Sequence, residues 1–444
     1  MILMSNKKIE GSLNPLFAIL ICLWMAVPFF QVRVGVLFLL LAFMAWLITT
    51  DLKWLINKLH LNLIFIMIFF VTFIPFLLVG ELRYGEAGAN AILISFPQFF
   101  IGIFINHYYM FYKKDYKTLG KIAFYFILFY TIGSLQTYFG LLIYPMASRQ
   151  LATGLSAFSE LYGRMGIGGF GFVYSGTFLL VAIVYTFIWK RNLLSLKYNI
   201  LMIASMIVVF LMIFKASYAT SLIIIFCGIL LILLIRNKYS LMSMFLITMM
   251  SIPFMPRHVI ADVLLGIANF NGGNSILKEK FTDLASIFLA SSVDSQAGNR
   301  IDLYVSSLKV FLENPLFGIY GPFGDQNARL VGGHSGWLDL LAYYGLFTGI
   351  PLLIAFYANY KLQYSLFKKS KFHVYITIVY FLIFVFGLIN PILYVYEIGF
   401  VLFCIVPAIP YIPYAFKANA LTETNKEKSD HTSESIMASQ YSPS

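Results

Sequence analysis

A histidine, a serine and an aspartate stand close together where a glycine-containing segment enters an apolar run. They are His334, Ser335 and Asp339, in the sequence Gly-Gly-His-Ser-Gly-Trp-Leu-Asp of residues 332–339. Histidine exchanges a proton near neutral pH, so His334 is a candidate general base for activating a hydroxyl group. Asp339 follows Ser335 by one helical turn, within reach to orient the same site. The structural alternative is a polar histidine cap followed by an acid that the helix dipole favours.

Four basic residues suggest a second kind of chemistry, the binding of an anion. Arg149, Arg164, Lys215 and Arg300 lie between apolar runs, on the side of the predicted membrane where basic residues are otherwise scarce. A planar guanidinium group engages phosphate oxygens in pairs, which suits a pyrophosphate. The alternatives are contact with lipid phosphates or a salt bridge within a loop.

Other familiar site patterns are disfavoured by their context. Residues 166–171, Gly-Ile-Gly-Gly-Phe-Gly, have the glycine spacing of a dinucleotide-binding loop, but they enter an apolar run instead of a strand-to-helix unit. The predicted outer loops contain no Asp-x-Asp pair that would hold a metal against a nucleotide sugar. Cys22, Cys227 and Cys404 all lie inside apolar runs, where free cysteine behaves as a small hydrophobe. We therefore expect neither a metal site nor a disulfide.

The elements that position these residues are predicted to be membrane helices. The chain is 60% hydrophobic and only 11% charged, far from the composition of a soluble domain. Apolar runs of about 20 residues, the length needed to cross a bilayer, recur along it. We predict an all-α, polytopic transmembrane bundle of about twelve spans, near residues 13–31, 34–50, 61–80, 91–110, 122–144, 170–189, 199–214, 218–235, 240–255, 337–360, 372–390 and 394–415.

The charge distribution supports this arrangement and predicts its orientation. Every second loop is basic, and with both termini these segments hold 20 of the 31 basic residues against seven acidic ones, a balance of +13. The other 11 basic and 12 acidic residues give −1. Basic residues collect in cytoplasmic loops, so both termini are predicted to be cytoplasmic. The net charge of +12 is thus an orientation signal, and it gives no reason to expect nucleic-acid binding.

Two predicted outer loops are much longer than the others, residues 145–169 and 256–336. Long loops in a compact protein are usually functional or disordered, and the second carries apolar residues throughout. Within it, residues 300–313 have apolar side chains at helical spacing, so we predict an amphipathic helix on the membrane surface or against the bundle, with Asn299 as its cap and Pro315 as its stop. Residues 1–416 form the membrane domain, and the polar tail 417–444 is predicted to be disordered.

Three segments in and after the long loop resemble the O-antigen polymerase and ligase superfamily. They are Gly-Asn-Arg-Ile-Asp-Leu-Tyr at 298–304, Glu-Asn-Pro-Leu-Phe-Gly-Ile-Tyr-Gly at 313–321, and the run from His334 to Gly349, which ends in Tyr-Tyr-Gly-Leu-Phe-Thr-Gly. Arg164 before a glycine-rich helix entry is similar to the upstream arginine motif of that family. Lys215-Ala-Ser-Tyr departs from it, since relatives often have Ser-Arg-Gly at that place.

The resemblance implies a membrane glycosyltransferase that moves a glycan from a polyprenyl diphosphate to a sugar hydroxyl at the outer face of a bacterial cytoplasmic (inner) membrane. In that interpretation Arg300 and Arg164, assisted by Lys215 or Arg149, neutralise the departing pyrophosphate, and His334 accepts the proton of the attacking hydroxyl. The anomeric diphosphate bond supplies the energy, so neither a cofactor nor a metal is implied.

The choice within the superfamily favours a polymerase. Its donor and acceptor would both be polyprenyl-diphosphate-linked oligosaccharides, and its product would be an O-antigen or capsule-type polysaccharide, with a chain-length regulator and a flippase as further partners. The alternatives are a ligase that transfers finished glycan to lipid A core and, from another class, a flippase for the same lipid-linked sugars. Transporters tend to carry ionisable residues and broken helices at the bilayer midplane, whereas the charges of this sequence are concentrated in its loops.

Overall fold

The computed structural model shows an all-helical protein, with no strand among the residues that it describes. Apolar side chains drive this outcome, because only a helix satisfies its own backbone hydrogen bonds when no water is present. The structure describes residues 2–50, 52–57, 60–84, 97–152, 156–190, 196–234, 243, 257–270, 278–282, 285, 296–319, 330–370, 372–393 and 395–415.

Seven of the described helices are long and apolar enough to cross a membrane, and three more are apolar but shorter. The predicted ninth span, 240–255, lies outside the described residues except for residue 243, and so do the first part of the fourth, 91–110, and the tail 417–444. The twelve-span count therefore stays a prediction. The seven are Pro28–Ile48, Tyr116–Ile143, Phe170–Trp189, Tyr198–Ala216, Gly336–Phe367, Phe372–Ile389 and Tyr396–Tyr414, and the shorter three are Leu13–Ala26, Leu61–Ile74 and Ala219–Leu234.

The helix bounds follow the hydropathy pattern closely, with short helices in several connections. The last span is a succession of α, π and 3₁₀ segments. The helices are Ile2–Ala26, Pro28–Ile48, Lys53–Asn57, Leu61–Tyr84, 97–106 continued by His107–Tyr112, Tyr116–Ile143, Ala147–Leu151, Ser156–Phe158 continued by Ser159–Gly163, Phe170–Lys190, Leu196–Ala216, Ala219–Leu234, Arg257–Phe270, Gln296–Glu313, Gly336–Phe367, Phe372–Ile389 and Tyr396–Tyr414.

Two predicted boundaries are wrong, each for a local reason. The first two spans do not meet between residues 31 and 34 but at Val27, because Pro28 lacks an N–H group and begins the second helix. The amphipathic helix of the long loop begins at Gln296, so Asn299 lies inside it and is not its cap. Its end at Glu313, just before Asn314 and Pro315, agrees with the prediction.

Two membrane helices are interrupted by glycines with non-helical backbone. In Pro28–Ile48 the break is at Gly35, with φ 75° and ψ 175°. The indole Nε1 of Trp24 donates a hydrogen bond to the Gly35 carbonyl over 3.0 Å, which satisfies an oxygen that the break releases. In Gly336–Phe367 the break is at Gly345, with φ 64° and ψ −168°. We call Gly336–Phe367 the broken helix.

The broken helix is held in the bundle along its whole length. It packs against Leu61–Tyr84 and against Phe372–Ile389. Polar side chains bridge the first of these interfaces, since Asn62 donates to Asn359 over 3.0 Å. Such hydrogen bonds substitute for the hydrophobic effect, which lipid does not provide between helices. These neighbouring helices therefore hold the broken helix, which carries Asp339, in a fixed position.

Candidate functional site

The segment before the broken helix, residues 331–335, carries His334 and is called the histidine loop. Ser335 is the N-cap residue: its Oγ accepts a hydrogen bond from the Leu338 backbone N–H over 3.2 Å. The backbone N–H of Ser335 in turn donates to Oδ2 of Asp339 over 2.8 Å. The structure thus brings Asp339 and Ser335 together, and this reciprocal cap fixes the chain on the carboxyl side of His334. His334 itself is half-buried.

Ser307 connects the histidine loop to the helix Gln296–Glu313, which we call the loop helix. Its hydroxyl donates to Oδ1 of Asp339 over 2.6 Å and accepts from the Gly332 backbone N–H over 3.0 Å. Ser307 is fully buried. The loop helix also contains Arg300, whose side chain lies outside the described part of the structure. One buried hydroxyl therefore joins the element that carries Arg300 to the loop that carries His334.

The apolar residues of the loop helix are divided between the two positions that the sequence left open. Val310 is buried beside Ser307 and Phe311 packs against the core, whereas Val305, Leu308 and Leu312 are exposed. The exposed three form an outward stripe, as expected of a helix that lies at a membrane surface. The small serine allows the close approach to the histidine loop.

Residues 314–319, which we call the docking turn, fit into the break of the broken helix. The N–H groups of Leu346 and Phe347, which lack helical partners at the break, donate to the carbonyls of Pro315 and Leu316 over 2.8 and 3.0 Å. In the other direction, Ile319 donates to the Ala342 carbonyl over 3.1 Å. The turn supplies the hydrogen bonds that the helix gives up at its break.

Two glycines make this contact possible. Gly318 has φ 62° and Gly345 has φ 64°, and L side chains rarely adopt such a backbone. A Cβ atom on Gly345 would lie 2.3 Å from the Leu316 carbonyl oxygen, and one on Gly318 would lie 2.6 Å from the Ala342 oxygen. The two segments that carry the Asn-Pro-Leu-Phe-Gly and Tyr-Tyr-Gly sequences are thus direct partners.

Arg149 lies in a different contact, which we call the arginine junction. Its guanidinium Nη2 donates to the backbone carbonyl of Ser217, and its Cζ lies 5.4 Å from the centre of the Tyr218 ring. The Tyr218 hydroxyl donates to the Ser148 carbonyl over 3.0 Å. Burial raises the pKa of Tyr218, so this hydroxyl stays protonated at neutral pH. These partners give Arg149 a structural role in holding the link between two helices.

The arginine junction and the histidine loop lie at the same end of the bundle, called the site end. Tyr218 contacts Tyr174, with ring centres 5.3 Å apart, and Tyr174 contacts Phe386 at 4.4 Å. The next residue, Gly387, accepts a hydrogen bond from the Ser335 hydroxyl over 3.4 Å. Lys215 lies two residues before Ser217, in the last turn of the helix Leu196–Ala216, and is half-buried. The last turn of one helix, Phe372–Ile389, therefore separates the two groups.

Arg164 forms a salt bridge with Glu160, over 2.7 Å between Nη2 and Oε1. Both side chains are more than half exposed, so the pair is worth little to stability and can exchange for another anion. The following glycine-rich segment is fixed by the Gly168 N–H, which donates to the Thr137 hydroxyl over 2.9 Å. Gly171 packs against the buried carboxylate of Glu397, a contact that a Cβ atom would prevent.

No family model and no curated protein matches the chain.

The site end combines the half-buried His334, the hydrogen-bonded carboxylate of Asp339 and the cations Arg149 and Lys215. The described residues include no group of three or more acidic, histidine or cysteine side chains that could hold a metal ion. Sequence reasoning missed Ser307, the docking turn and Glu397. The pair of glycine-containing motifs was visible in the sequence, but nothing in their order indicated that they contact each other.

Proposed function

We propose that this protein is a membrane glycosyltransferase that polymerises polyprenyl-diphosphate-linked oligosaccharide repeat units into an O-antigen or capsule-type polysaccharide. The observation that carries the proposal is that the elements containing the three segments of the resemblance are hydrogen-bonded to the first half of the broken helix. Ser307, on the loop helix that carries the first segment, donates to Asp339. The docking turn, from the second segment, is bonded to the break at Ala342, Leu346 and Phe347. Segments that share one reaction must meet in this way.

In the proposed reaction the hydroxyl of an acceptor sugar attacks the anomeric carbon of the donor. The bond from that carbon to the diphosphate oxygen breaks, a glycosidic bond forms, and His334 takes the proton of the hydroxyl. Arg300, Arg164 and Lys215 stabilise the charge that develops on the departing diphosphate. Arg149 contributes from a distance by holding the link that directly follows the helix of Lys215.

The orientation that we propose places the site end at the outer face of a bacterial cytoplasmic membrane. Cysteines introduced for Leu330 and for Ser365 test it, because both positions are exposed and lie at the two ends of the broken helix. In a variant with Cys227 replaced by serine, a membrane-impermeant maleimide should label Leu330→Cys in spheroplasts and Ser365→Cys only after permeabilisation. The reverse pattern would overturn the orientation.

The decisive experiment incubates the purified protein with lipid-linked repeat units and separates the products on a gel. A ladder without added lipid A core means a polymerase. Product that appears only when lipid A core is supplied means the ligase instead.

Single substitutions then test the assigned residues. His334→Ala and Arg300→Ala should each abolish the ladder while the protein stays in the membrane. His258→Ala and Lys309→Ala serve as matched controls, since both side chains are exposed and Lys309 lies on the loop helix itself. A normal ladder from both site variants would show that His334 and Arg300 do not form the active site.

A flippase for the same lipids is the second candidate, and two observations favour it. The helices that are interrupted at Gly35 and Gly345 resemble the discontinuous helices of transporters, and Glu397 is an acid buried within a membrane-length helix. Reconstituted protein that moves the lipid-linked sugar across liposomes without forming product would establish this function in place of the polymerase.

A further inference from the structure

A cavity of about 200 Å³ opens between the histidine loop and the segment 391–393. Gly333 of the histidine loop and Asp339 and Tyr343 of the broken helix line one side, and Ile392 and Leu393 line the other. The walls are fixed to each other, because the Gly336 N–H donates to the Asn390 carbonyl over 3.0 Å. The cavity is therefore preformed, and His334 adjoins one of its lining residues.

The charge at the cavity wall restricts what it can hold. The Asp339 carboxylate accepts hydrogen bonds from the Ser307 hydroxyl and the Ser335 N–H, and the Gly333 backbone also hydrogen-bonds it. A carboxylate offers about four lone-pair sites, so one stays available to a donor in the cavity. A pyrophosphate would be repelled there, whereas a hydroxyl or an ammonium group would be accepted.

The other side chains that line the cavity are apolar or aromatic. Ile392 and Leu393 form the opposite wall, and Tyr343 adds an aromatic ring. One acceptor at Asp339 and the apolar surfaces of Tyr343 and Ile392 match a sugar ring, which has hydroxyls at its edge and C–H groups on its faces. A polyprenyl chain would offer no hydrogen-bond donor to Asp339.

We infer that this cavity binds the terminal sugar of the acceptor, and that this sugar is neutral or carries an amino group. The inference rests on the proposed function and names the acceptor subsite within it. The sugar hydroxyl that attacks the donor would stand beside the histidine loop, where His334 takes its proton. Asp339 orients the acceptor through a hydrogen bond and rejects acidic sugars.

A thiol-protection experiment tests binding without requiring turnover. Ile392→Cys, in the full-length protein with Cys227 replaced by serine, is treated with methyl methanethiosulfonate in lipid nanodiscs. Methyl glucoside and methyl glucosaminide should slow the modification, whereas methyl glucuronide should not. Asp339→Asn should remove this discrimination between sugars. Equal protection by all three sugars, or none by any, would overturn the inference.

Filling the cavity tests its role in transfer. Leu340 and Leu393 line the cavity from opposite walls, and Leu338 on the same helix does not. Leu340→Phe and Leu393→Phe should each lower the ratio of transfer onto an acceptor to hydrolysis of the donor by about tenfold or more, while Leu338→Phe keeps the wild-type ratio. Unchanged ratios in the filled variants, or a proportional loss of both reactions, would refute an acceptor subsite. Sugar protection in a wild-type protein that has neither reaction would instead refute the proposed function.

Discussion

Replacing Gly345 by alanine should detach the docking turn from the broken helix. Gly345 has φ 64° and ψ −168°, a backbone region that is essentially restricted to glycine. The added Cβ would also lie 2.3 Å from the Leu316 carbonyl oxygen, which is closer than atoms can approach. The obstacle is backbone, so no side-chain rotation relieves it.

The expected cost follows from these two effects. Holding alanine in this backbone region costs about 1 to 3 kcal/mol. The hydrogen bonds donated by Leu346 and Phe347 are lost on undocking in the wild type and the variant alike, so they do not add to this difference. The docked state should therefore lose about 1 to 3 kcal/mol relative to the undocked state, before the clash is counted. Even the lower figure increases the open population about fivefold.

Hydrogen exchange measured by mass spectrometry reports this change directly. Amide exchange at Leu346 and Phe347 should accelerate by about fivefold or more in Gly345→Ala, and the polysaccharide ladder should be lost. Gly35→Ala is the matched control, because Gly35 has φ 75° but a Cβ atom added there would meet nothing within 4 Å. It should show backbone strain without any effect on these two amides.

Two results would refute this reasoning. Wild-type exchange at Leu346 and Phe347 in Gly345→Ala would mean that the turn is not held by these hydrogen bonds. Equal acceleration in Gly35→Ala would mean that general loosening of the bundle, and not loss of the docking contact, governs exchange.

The remaining predictions concern single hydrogen bonds. Ser307→Ala should weaken the contact between the loop helix and Asp339 by about 1.5 to 3 kcal/mol and lower transfer. Ser306→Ala is the control and should change neither, because the Ser306 hydroxyl donates to the Asp302 carbonyl of its own helix. Equal ladders from both variants would contradict this prediction. Arg149→Lys should lower the melting temperature measured by tryptophan fluorescence, because lysine cannot reproduce the stacking of the guanidinium group on the Tyr218 ring. An unchanged melting temperature would argue against a structural role for Arg149. Trp24→Phe should lower the free energy of unfolding by about 0.5 to 1.5 kcal/mol in the same assay, because the hydrogen bond to the Gly35 carbonyl is lost. An effect near zero would show that this carbonyl needs no partner.

Hydropathy predicted most of the helices well, because it shows which segments are apolar enough to be surrounded by lipid or buried in the bundle. The run 170–189 is observed as Phe170–Lys190, and 372–390 as Phe372–Ile389. Hydropathy does not report backbone chemistry, which is why the break at Pro28 was placed several residues too late. It also gives no sign of the break at Gly345, where the apolar run continues and the compensating partner is remote in sequence.

The candidate site could be predicted in part. The proximity of Asp339 to Ser335 followed from helical spacing alone. The role of Arg149 did not, because a cation near a loop is equally suited to a ligand and to a backbone carbonyl, and only the fold shows that the Ser217 carbonyl is its neighbour. Ser307 was overlooked because a small polar residue on an amphipathic helix has no distinctive pattern.

The contact between the docking turn and the broken helix imposes a joint constraint on two glycines. Gly318 and Gly345 each face the backbone of the segment that carries the other, so each is needed only while the other segment stays docked. A mutation at either glycine that undocks the turn removes the contact that requires glycine at the other position. Evolution should therefore retain or lose the two glycines together, and this paired pattern offers a way to recognise distant relatives whose remaining sequence has diverged beyond detection.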